Sequence, residues 1–112
     1  MDKIVSKIVA LGIPGLILVV VISTTGLAGA AAITTALAAL GPGGIIGGVA
    51  TLGVIGLISE GISEFGFSKI FSSVVKQLYE QGETKDSIRK KIQEYPISKD
   101  LKRKINEELD KI

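Results

Sequence analysis

The 112-residue chain has no Cys and no His, and its 13 basic and 11 acidic side chains leave a net charge of +2. Disulfide and thiol chemistry are thereby excluded, the commonest metal ligand and general base is missing, and a nearly balanced charge gives no electrostatic case for nucleic acid. The length allows one compact unit or a membrane hairpin with a small appended domain, and the charge distribution favours the second: residues 8–59 carry no Asp, Glu, Lys or Arg, whereas residues 60–112 hold ten acids and eleven bases.

Residues 1–13 read as an amphipathic lead-in, with Ile4, Val5, Ile8 and Leu11 spaced for one helical face. Lys3 and Lys7, the apolar run and then Ala28-Gly29-Ala30 have the order of a signal peptide, but the apolar run continues past any such cleavage site, so the segment is expected to stay. Gly12-Ile13-Pro14-Gly15 predicts a kink or a fresh helix start, because proline is tolerated in the first helical turn; one kinked helix from Lys3 onward is the alternative.

Residues 14–60 read as a Gly/Ala-rich transmembrane hairpin. A spanning helix needs about 20 apolar residues, and the uncharged run holds enough for two. The first is expected from Pro14 to Leu40, with a bulky half at Leu16–Ile22 suited to lipid and a small half suited to close helix approach. Gly41-Pro42-Gly43-Gly44 supplies the turn. The second runs from about Ile45 to Ile58, with continuation to Phe65 left open.

Small residues carry helix association in lipid, where no hydrophobic force pulls helices together. Ala28, Ala32 and Ala36 form one ladder, and Gly26 begins a neighbouring row through Ala30, Thr34 and Ala38. Gly43/Gly47 and Gly44/Gly48 are GxxxG pairs. These residues are the candidate packing and oligomerisation surface, although packing within one hairpin would use part of it. Ser23, Thr24, Thr25, Thr34, Thr35 and Thr51 either line a wet path or bond back to their own helix. Glu60 and Glu64 mark an interfacial helix end, with proton binding as the sharper alternative.

Residues 61–112 read as a charged domain of three short amphipathic helices. Ile62, Phe65, Ile70, Phe71, Val74, Val75 and Leu78 form the first stripe, closed by Gly82. Thr84 caps the second, with Ile88 and Ile92 on one face; Pro96 ends it. Ser98 caps the third, with Leu101, Ile105, Leu109 and Ile112 aligned. Opposite these stripes, Arg89, Lys90, Lys91, Lys102, Arg103 and Lys104 are either a headgroup-contact surface or a solvated face. About 45 residues make a marginal free-standing core, so the tail needs a partner surface.

In outline, the apolar hairpin at residues 16–58 followed by amphipathic helices resembles pore-forming bacterial toxins that hide a hydrophobic hairpin inside a shell of helices. Its Gly/Ala richness is similar to that of small interferon-induced membrane proteins. Both likenesses are compositional and carry no residue role over.

The expectation is therefore an all-α chain, a transmembrane helical hairpin followed by a three-helix tail. It acts as a small bacterial membrane protein that self-associates through its Gly/Ala faces and permeabilises or remodels the bilayer. The uncharged turn between Lys-bearing flanks places both termini in the cytoplasm, with the inner membrane as location. Its partners are the lipid bilayer and further copies of itself. The alternative is a non-catalytic anchor whose C-terminal helices bind a cytoplasmic protein; a soluble assembly that buries the hairpin at its centre is a third reading. No catalytic, cofactor or metal residues are expected, since no P-loop, dinucleotide-binding or acid-pair pattern is present.

Overall fold

The computed structural model describes residues 1–25, 48–95 and 97–112. Within them the chain is all-α, with six helices and no strands: α1 (Asp2–Ala10), α2 (Ile13–Thr25), α3 (Gly48–Phe65), α4 (Phe67–Glu80), α5 (Lys85–Glu94) and α6 (Lys99–Asp110).

Local chemistry places most of the boundaries. Gly12 adopts φ +71° after Leu11, so α1 stops and α2 restarts, Pro14 lying in its first turn. Gly66 at φ +89° separates α3 from α4. The stripe expected as one tail helix is therefore split: Ile62 and Phe65 belong to α3, which also runs through the 60/61 boundary drawn from composition. At the end of α4, Gly82 is at φ +101°; its N–H bonds the Tyr79 carbonyl at 3.0 Å and the Glu83 N–H bonds the Leu78 carbonyl at 3.0 Å, which is a Schellman ending. Thr84 caps α5 by accepting from the Ser87 N–H at 3.0 Å, while Ser87 Oγ accepts from the Thr84 N–H at 2.8 Å, a reciprocal capping box. Ser98 caps α6 through the Leu101 N–H at 3.1 Å.

Helix α2 is the centre of the packing: each of the other five helices touches it. Leu16 to Val20 have no exposed surface, and Val21 and Ile22 are 1% and 3% exposed. The surrounding helices supply Val5, Ile8 and Val9 from α1, Ile55 and Ile58 from α3, and Ile70, Phe71, Val74, Val75 and Leu78 from α4. Ile88 and Ile92 of α5 and Ile105 and Leu109 of α6 complete the core. The expectation that Leu16–Ile22 face lipid is thus corrected for this structure, in which they face the chain's own interior. A helix that is apolar all round requires burial on every side, and either a protein core or a bilayer satisfies it. The tail uses this surface as its core, which answers the marginal size of three short helices alone.

Candidate functional site

The unusual feature of the fold is the joint between α1 and α2, where the chain bends by 118°. Two glycines make it. Gly12 takes the left-handed conformation that side chains rarely adopt. Gly15 lies so close to α1 that a Cβ there would stand 2.2 Å from the Ile8 carbonyl oxygen and 3.1 Å from Ile8 Cγ2. The sequence signal was the pair of glycines bracketing Ile13-Pro14; it predicted a break, and the close approach at Gly15 was not foreseen. Gly61 is a second close approach. A Cβ on it would meet Ile70 Cδ1 at 3.1 Å and Ile4 Cγ2 at 3.3 Å, so α1, α3 and α4 converge there. Its phase with Ile58, Ile62 and Phe65 along α3 was the available signal.

No single described helix is long and apolar enough to cross a membrane. Taken together across the bend, α1 and α2 meet the length and hydropathy required of a broken span.

Among the sequence-derived packing residues, Gly26, Ala28, Ala32, Ala36, Gly43, Gly44 and Gly47 lie outside the described residues, as does the turn at 41–44; Gly48 begins α3. Further along α3, Gly53 and Gly56 are exposed, and a Cβ at either would have no neighbour within 4 Å. The described part of the chain therefore gives these two glycines no packing partner. Ser23 and Thr24 donate to the carbonyls of Val20 and Val21 at 2.8 and 3.0 Å, three residues back in their own helix. Glu60 and Glu64 are exposed on α3.

The basic clusters of the tail fall on α5 and α6, and four of the six cations have partners within the chain. Arg89 pairs with Asp110 across the two helices. Lys91 meets Glu83 at 2.5 Å, and Arg103 faces Asp100 at 3.5 Å. Lys102 Nζ donates to the Gln93 carbonyl at 2.8 Å, satisfying one of the orphan acceptors at the end of α5. Lys90 and Lys104 are exposed, and among the described residues neither has an ion pair. The hydrogen bonds from Lys91 and from the Ser87 hydroxyl hold the Glu83 carboxyl below its ordinary range. Burial pushes the Tyr95 phenol up. An open groove of about 520 Å³ beside α6 mixes Lys99, Lys102 and Arg103 with Glu107 and Asp110, so it has no single-sign field to select a ligand. Among the described residues, no group of three or more acidic side chains could hold a metal ion.

No protein-family model, curated protein or solved structure matches the chain.

Proposed function

We propose that this chain is a small membrane-active protein that keeps an apolar helix inside a shell of amphipathic helices, and permeabilises or remodels a bilayer when that shell gives way and copies associate. The observation that carries the reading is the state of α2. Seven consecutive bulky residues, Leu16 to Ile22, are almost fully enclosed by helices whose outer faces are polar. Lipid acyl chains satisfy the same apolar surface equally well. Gly53 and Gly56, where an added Cβ meets no described residue, support self-association, since small residues allow close approach of another helix. The Gly/Ala ladder at residues 26–48 extends that surface in the sequence.

The test is dye release from anionic vesicles by the purified chain, compared with Gly47→Leu. Release that Gly47→Leu abolishes supports a pore-type effector assembled through small-residue faces. Intact vesicles that nevertheless carry the protein through flotation would replace this reading with the anchor, whose tail helices recruit a protein partner. A chain that stays at the bottom of the gradient would leave the soluble assembly.

A further inference from the structure

The helices around α2 are not held equally. Helices α5 and α6 are tied by the Arg89–Asp110 pair and by Lys102 on the Gln93 carbonyl, and Lys85 Nζ donates to the Ile112 carbonyl at 3.0 Å. Among the described residues, no ion pair joins α1, α3 or α4 to another helix, and α1 is the shortest of these three. Met1, just before α1, accepts from Ser73 Oγ at 4.0 Å, a weak contact. Helix α1 is otherwise docked by apolar side chains: Val5, Ile8 and Val9 are buried, and Ile4 packs against the core beside Gly61. Its outer face carries Lys3 and Lys7, one turn apart and exposed, with Ser6 between them. At nine residues it is short of the roughly 12–15 that make an isolated helix even marginal in water, so it keeps its form only against an apolar surface. An apolar face beneath a lysine-bearing face is the composition of helices that lie in the headgroup layer of anionic membranes.

We propose that α1 is an exchangeable helix: its apolar face leaves α2, α3 and α4 for an anionic lipid surface, turning about the Gly12–Gly15 joint, and its departure uncovers α2. The inference rests on the membrane-active reading above and adds to it the first step and the lipid charge. Acyl chains can replace apolar docking, and of the three helices docked without ion pairs α1 is the shortest and depends most on its neighbours for its form, so this is the side on which the shell opens. Lys3 and Lys7 give the preference for anionic headgroups.

The chain's lack of cysteine allows a direct test on the full-length protein. A Cβ added at Gly61 would stand 3.3 Å from Ile4 Cγ2, so Ile4→Cys/Gly61→Cys brings two thiols within disulfide reach. The shorter side chain at position 4 relieves the 3.3 Å contact, and Ile70 Cδ1 is the mobile end of its side chain. The rate at which this pair oxidises reports whether α1 is docked. The expected result is rapid oxidation in buffer and with phosphatidylcholine vesicles, and oxidation slower by at least roughly tenfold on phosphatidylglycerol vesicles. An unchanged rate on phosphatidylglycerol overturns the proposal, whether or not the protein floats with the vesicles.

Dye release in the same samples separates the two readings. Slower oxidation without release keeps the exchange of α1 and removes permeabilisation; release at an unchanged oxidation rate does the reverse. Lys3→Glu/Lys7→Glu, both at exposed positions, gives a check independent of the cysteine pair. Phosphatidylglycerol binding is expected to fall by roughly tenfold or more, and undiminished binding overturns the proposal.

Discussion

Single residues decide how tightly α1 is folded back. Gly15→Ala places a methyl group 2.2 Å from a backbone oxygen that no rotamer change can move. Overpacking of this kind costs typically about 1–3 kcal/mol, and urea unfolding should show a loss in that range. Gly53→Ala is the contrasting case, because among the described residues its Cβ meets nothing and an exposed helix interior favours alanine by about 0.5–1 kcal/mol. The same denaturation measurement should show a gain. Any role of Gly53 in self-association would then appear as weaker association despite the higher stability.

Glu83 gives a pH prediction. Its carboxyl is held below the ordinary 4.5 by the hydrogen bonds from Lys91 and Ser87. A depressed folded-state value adds stability that is fully present above the unfolded value and is lost as pH falls through the folded one. Glu83→Gln should therefore lower the urea midpoint at about pH 7, and the difference from wild type should shrink as pH falls below 4.5 and through the folded-state value.

At the level of elements, the tail was legible because its signals are local. Thr84 and Ser98 are side-chain caps, Gly82 closes a Schellman ending, and the stripes on α4, α5 and α6 turn inward as their spacing requires, except that Ile112, aligned with the last stripe in the sequence, lies past the end of α6 and is exposed. The break at Gly66 was less visible: an apolar stripe ran across it, and its positive φ sets it apart from Gly53, Gly56 and Gly61 within α3. What α2 packs against could not be read, because a helix apolar on every side carries no phase. The bulky run identified the segment that must be buried without identifying its surroundings. Ile17→Ala tests the burial found here. Removing a fully enclosed side chain from a close-packed site costs about 2–5 kcal/mol, measurable as a lowered urea midpoint of the chain in lipid-free buffer. A change near zero would mean that Ile17 faces no tightly packed neighbours there.

For the whole molecule, the charge asymmetry visible in the sequence becomes a radial one among the described residues: the uncharged α2 lies inside, and the charged helices lie outside with their apolar stripes inward. The same partition that keeps the apolar helix from water leaves it available to lipid once α1 leaves the shell. Hydrophobic photolabelling from within phosphatidylglycerol bilayers tests this most directly, using a diazirine confined to the acyl-chain region and mass-spectrometric mapping on the unmodified chain. Label on residues 16–22 of the vesicle-bound protein is the predicted result. Bound protein with those residues unlabelled would contradict it and leave α2 as the core of a bundle that never opens.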